Sequence, residues 1–148
     1  MKGTLLLRKD HEKVQELFEK FRRGRGNNHR TVFEEIRREI SNHSDVETEI
    51  FYPALRETAS RRADELVNSA TADHGRIDKL LAEITSNNGN DKQFETNVNR
   101  LIDAVNEHIA FEEEEIFAEA RNNFSEQRLE ELGLEMEARK RILGQVAA

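Results

Sequence analysis

The chain contains no cysteine, which excludes disulfides, thiolate metal ligands and thiol nucleophiles. With one proline and seven glycines in 148 residues, little interrupts a helix. The abundance of Glu, Arg, Leu and Ala completes an all-α reading. No apolar run approaches the roughly 20 residues that cross a bilayer, and the Met1–Leu7 opening is too short for a secretory leader. The expectation is a soluble, cytoplasmic protein with no membrane partner. Positive charge is also in deficit: 23 Lys and Arg face 30 Asp and Glu, a net charge of −7 that argues against nucleic acid as a partner. Apolar residues make up 36% and charged residues another 36%, consistent with one domain over residues 1–148 and an economical core.

What is present is periodic. Breaks fall at Gly24–Asn28, Pro53–Ser60, Ser86–Asp91 and Arg121–Ser125. Between them, apolar residues recur at three- and four-residue steps, the mark of helices that bury one stripe. The stripes are Leu7, Val14, Phe18 and Phe21; then Phe33, Ile36, Ile40, Ile50 and Ala54; then Ala63, Val67, Ala70, Ile77, Leu81 and Ile84; then Phe94, Val98, Leu101 and Val105. Four such helices with short connections predict an up-down-up-down antiparallel four-helix bundle over about residues 2–121. An additional C-terminal helix is expected over about 126–144, with Ser125 as its N-cap. Its stripe of Leu129, Leu132, Met136 and Leu143 either closes the bundle or forms a dimer surface for a partner chain.

The two halves repeat. "DHEKVQELF" from Asp10 matches "DHGRIDKLL" from Asp73, aligning His11 with His74. Farther on, His43-x-x-x-Glu47 matches His108-x-x-x-Glu112. Extending each apolar stripe through its gap places all six of these residues on core-facing positions. Positions 11 and 43, 43 and 74, and 74 and 108 are each nearly equidistant from the break between them, so in an antiparallel bundle the four histidines meet at one level.

Two buried carboxylates and four imidazoles need something positive between them, because an isolated buried carboxylate costs several kcal/mol. A proton-sharing polar network would serve. A cage of nitrogen and oxygen donors suits two metal ions better, iron or manganese above all. Asp78, one turn after His74, and Glu115, two turns after His108, are candidate additional oxygen ligands. Glu113 and Glu114 are expected to face solvent, as is His29. Asp10 and Asp73, each next to a histidine, read as surface residues, with support of a neighbouring ligand as the alternative. Tyr52 falls off the metal line by helical phase and reads as a packing residue.

The series His11, His43-x-x-x-Glu47, His74, His108-x-x-x-Glu112 resembles the hemerythrin-like family of HHE cation-binding domains over about residues 4–120. That resemblance implies a non-haem di-iron centre with an oxo, hydroxo or water bridge. His11 and His43 would hold one iron, His74 and His108 the other, and Glu47 and Glu112 would bridge them. The oxygen carriers of the family have a further histidine where this chain has Asp78, and close the last motif with HxxxxD where Glu112 and Glu113 stand here. The implied chemistry is a reaction with dioxygen, peroxide or nitric oxide, including catalase-like peroxide breakdown. The alternatives are an iron or oxygen module for binding, storage or sensing without turnover, and a scaffold with a vestigial polar core.

Overall fold

Strongly amphipathic segments joined by short turns can bury their stripes only against one another, and they do so here. The computed structural model describes residues 1–24, 28–86 and 91–147, with side chains described through residue 144. Helix α1 spans Gly3–Arg23 and α2 spans Asn28–Val46. A π-helical turn, Glu47–Phe51, joins α2 without interruption to α3, Tyr52–Glu57. Helix α4 runs Arg61–Ser86, α5 runs Asp91–Phe111, a second π turn covers Glu112–Ile116, and α6 continues through Phe117–Asn123. Helix α7, Glu126–Ala147, follows. The expected breaks at Gly24–Asn28 and Ser86–Asp91 lie largely outside the described residues.

Cross-helix ion pairs give the directions. Lys13 meets Glu39 at 2.7 Å and Lys20 meets Glu35 at 3.6 Å, so α2 returns antiparallel along α1. Gln15 bonds Asn106 and Arg22 bonds Asn99, which sets α5 antiparallel to α1 as well. The four-helix bundle is therefore as expected, with the second and fourth arms each made of two α segments hinged on a π turn.

Those π turns correct two sequence readings. Each inserts one residue into the ladder, closing i→i+5 bonds from Tyr52 N–H to the Glu47 carbonyl and from Phe117 N–H to the Glu112 carbonyl. The stripe is rephased beyond them. Ile50, expected in the core, is only partly buried, while Val46 and Phe51 are fully enclosed. The helix also passes through Pro53 to Glu57 rather than breaking there, because the backbone has already left the i→i−4 ladder where proline lacks its N–H. The chain turns at Thr58–Ser60, with Ala59 in the left-handed region at φ 59°. The Ser60 hydroxyl accepts the Ala63 N–H and starts α4.

Helix α7 packs on its own bundle. Ser125 caps it through the Arg128 N–H as expected. Leu129, Leu132 and Met136 are buried, and Leu143 packs against the same cluster. Close approach to the start of α1 depends on Gly133, where a Cβ would lie 1.7 Å from the Met1 carbonyl oxygen. The helix extends three residues past the expected 144.

The core comes in two pieces. One apolar cluster gathers Leu7, Phe51, Leu55, Val67, Ala70, Phe117 and Met136. The other gathers Val14, Phe18, Ile36, Ile40, Ile77, Val98, Leu101 and Val105. On every bundle arm the gap between the clusters is the level of the repeated histidines.

Candidate metal centre

Six side chains fill that gap. Glu47 and Glu112 are fully enclosed, His11 is 2% and His108 6% exposed, and His43 and His74 are partly buried. The Nε2 atoms point inward. His11 Nε2 lies 3.0 Å from Glu112 Oε1, and His43 Nε2 and His74 Nε2 each lie 3.2 Å from Glu47 Oε1. His108 Nε2 lies 3.6 Å from Glu112 Oε2 and 3.2 Å from His74 Nε2. The donors form two groups, each with all ligand atoms within 4.8 Å of one another: His11, His43, Glu47, Glu112 and Glu47, His74, His108, Glu112. Both glutamates belong to both groups.

The outward nitrogens are held as well. His43 Nδ1 lies 2.9 Å from Asp10 Oδ2, and His108 Nδ1 lies 3.0 Å from Asp73 Oδ2. The duplication explains the pair: the aspartate of each Asp-His motif supports the histidine of the next helix. His11 Nδ1 bonds Glu113 at 2.7 Å, and His74 Nδ1 bonds the Ser44 hydroxyl at 2.9 Å. An Nδ1–H donated to a carboxylate leaves the Nε2 lone pair facing inward, as metal-binding imidazoles require.

Lone pairs therefore face lone pairs across the centre. His43 Nε2 and both Glu47 oxygens are buried without a hydrogen-bond partner, and two Nε2 atoms face each other. Only protons or cations relieve this arrangement. Burial opposes the charged form of His43 and His108. For His43 the Glu47 charge and the Asp10 bond outweigh it and raise the pKa well above the ordinary value. For His108 the bond and charge of Glu112, with Glu47 and Asp73, raise it to about 9. Glu112 is held well below the usual carboxylate range: burial pushes it up, and the surrounding imidazoles of His108, His11 and His43 overcome that. Protons and metal ions thus compete for one set of donors, and the imidazole and carboxylate set fits a first-row divalent or trivalent ion.

The family model for the hemerythrin HHE cation-binding domain matches residues 3–120. The chain belongs to the hemerythrin HHE cation-binding family. Among curated relatives, a DNA nickase of Nostoc sp. is 28% identical over 136 residues, covering 91% of this chain. This chain spans 38% of the nickase's length. Among solved structures, an HHE cation-binding domain-containing protein of Mycobacterium kansasii superposes with a TM-score of 0.87 at 22% identity, covering 99% of this chain and 90% of that one. That likeness establishes the helical-bundle fold.

Within this HHE domain, several side chains stand where sequence phase did not place them. Glu113, expected in solvent, turns its carboxylate onto His11. Asp10 is buried beside His43 rather than lying at the surface, and Asp73 supports His108. The repeated Asp-His pair was the available signal for both. Tyr52 is not merely packing: its hydroxyl donates to Glu112 Oε2 and lies 3.4 Å from His74 Nε2. Burial, with the Glu112 and Glu47 charges, pushes the Tyr52 pKa well up and keeps it a donor. The π turn swings Tyr52 onto the metal line, a rotation that a 3.6-residue period does not anticipate. Ser44 carried no signal at all.

The two candidate extra ligands stay outside. Glu115 pairs with Arg62 at 2.5 Å, and Asp78 is exposed at the rim of a cavity beside the centre. His29 is distant from the centre as expected, though half-buried and stacked on Phe21 at 4.4 Å between ring centres. The cavity holds about 40 Å³ and is walled by the four histidines and by Val14, Ile40, Ile77, Val105 and Ile109. No helix among the described residues is long and apolar enough to cross a membrane.

Proposed function

We propose that this HHE domain carries a non-haem di-iron centre that reacts with a small oxygen-containing ligand: dioxygen, peroxide or nitric oxide. His11 and His43 would hold one ion, His74 and His108 the other, with Glu47 and Glu112 bridging. The observation that carries this reading is the sharing of both glutamates by two otherwise separate donor groups. The unpartnered oxygens of Glu47 add to it, since a bridging carboxylate uses both. Bound iron supplies the electrons, together with open positions for an exogenous ligand.

The chain's own part is placement and exclusion. The Nδ1 acceptors fix each imidazole, and the Tyr52 hydroxyl holds a proton against Glu112. The cavity of about 40 Å³ beside the four histidines, with Val14, Ile40, Ile77, Val105 and Ile109 in its walls, gives a small ligand a place to approach the centre. A net charge of −7 argues against nucleic acid as a general partner. Peroxide breakdown with turnover is the enzymatic form of the reading.

The test is an anaerobic ferrous titration followed by dioxygen and then peroxide, monitored by optical spectroscopy. Two irons per chain and repeated consumption of peroxide support a redox enzyme. Two irons that oxidise once and stop support storage or sensing. Manganese retained in preference to iron would overturn the metal assignment, and no metal bound would overturn the whole reading.

A further inference from the structure

The matched family segment ends at residue 120, yet a cation from beyond it reaches Asp10, the partner of His43. Lys140 Nζ on α7 donates to Asp10 Oδ1, while Asp10 Oδ2 accepts from His43 Nδ1. Asp10 is buried at 6% exposure, so these two partners meet with little solvent between them. One residue earlier, Arg139 forks onto Glu49, with Nε at 2.7 Å and Nη2 at 3.2 Å. Glu49 belongs to the π turn that begins at Glu47. Consecutive residues of α7 thus contact both parts of the His43–Glu47 half-site from outside, one through Asp10 and one through Glu49.

Building on the di-iron reading, we propose that Lys140 is a positioning residue that tunes the His43 side of the centre through Asp10. A carboxylate shared with an ammonium is a weaker acceptor than one that serves imidazole alone. His43 then keeps less negative character and donates less strongly to an ion at Nε2. At His108 the supporting Asp73 is likewise shared with a cation, Arg76 of its own helix, but that pair stands in more solvent, 68% and 22% exposed against 29% and 6% for Lys140 and Asp10.

The test uses the full chain and two metals. In a Co(II) titration followed by its visible spectrum, Lys140→Met should tighten one of two binding steps by about threefold to tenfold and leave the other unchanged. Lys140→Arg, which keeps the charge, should behave as wild type. In an Asp10→Asn background, Lys140→Met should change neither step. With iron bound, the midpoint potential of Lys140→Met should fall. A merely structural lysine would instead weaken both steps and lower the unfolding temperature of the chelated protein. That result, or two steps within twofold of wild type, overturns the proposal. Wild-type protein that binds no Co(II) overturns the di-iron reading itself.

Discussion

Both carboxylate oxygens of Glu47 lie buried and without a hydrogen-bond partner, and a buried group in that state costs about 1–3 kcal/mol. Removing the side chain should therefore have unequal effects in the two forms of the protein. Glu47→Ala should reduce bound metal to one ion or fewer per chain and cost the loaded protein about 3 kcal/mol. The chelated protein should lose much less, because the unpartnered oxygens disappear with the side chain. Equal losses in chelator and in metal, read by thermal unfolding, would remove Glu47 from the ligand set. Tyr52→Phe asks a narrower question. It leaves every ligand in place but takes a buried donor from Glu112. Two metals should still bind, and urea unfolding of the chelated protein should show a loss of about 1–3 kcal/mol. Full stability in this variant would mean that the phenol does not serve Glu112.

At the scale of the element, the two π turns decide what the chain's periodicity can and cannot show. Upstream of Glu47 and Glu112 the 3.6-residue period holds: Phe33, Ile36, Ile40, Phe94, Val98, Leu101 and Val105 are buried as the stripes require. The six core-facing polar residues also gather as their phase implies: His43, Glu47, His108 and Glu112 lie at or before the point where their helix changes pitch, and the helices of His11 and His74 do not change it. Beyond that point the arithmetic fails, and Ile50, Tyr52 and Glu113 are the residues it misplaces. A π turn leaves no composition of its own in "ETEIF" or "EEEEI", so a 3.6-residue period cannot register it. Pro53 was the one hint, and by local rules it reads as a stop. The real stop is strained. Ala59 holds a left-handed conformation that costs an L-residue about 1–2 kcal/mol. Ala59→Gly should raise stability by about 0.5–1 kcal/mol after the added freedom of the unfolded glycine is discounted. A fall in the denaturation midpoint would show that the alanine methyl packs usefully instead.

For the whole molecule, the polar level divides the core into an apolar cluster on each side. Ions that bind there join the two clusters, so metal affinity and cooperativity of unfolding are linked. In the chelated protein, protons must do this work. The His108 pKa is raised to about 9, so its stabilising contribution is fully present below the unfolded imidazole value of about 6.5 and is lost as pH rises through 9. The chelated protein should therefore unfold at progressively lower temperature from pH 6.5 to 9, while the loaded protein holds steady or gains. Parallel pH profiles would indicate that metal does not replace those protons.

The duplicated hairpins share a backbone plan and differ by one hydroxyl where Tyr52 corresponds to Phe117. Tyr52 follows Glu47, and Phe117 follows Glu112, at the same step along matching π turns. The Tyr52 ring lies 5.5 Å from that of His74, and the Phe117 ring stacks 5.9 Å from that of His11. Serine rather than a carboxylate supports His74, which widens the difference. Metal ions in the two seats should therefore be spectroscopically distinct although the scaffold around them repeats. Iron-57 bound in both should give two Mössbauer quadrupole doublets of equal area, where a truly symmetric pair would give one.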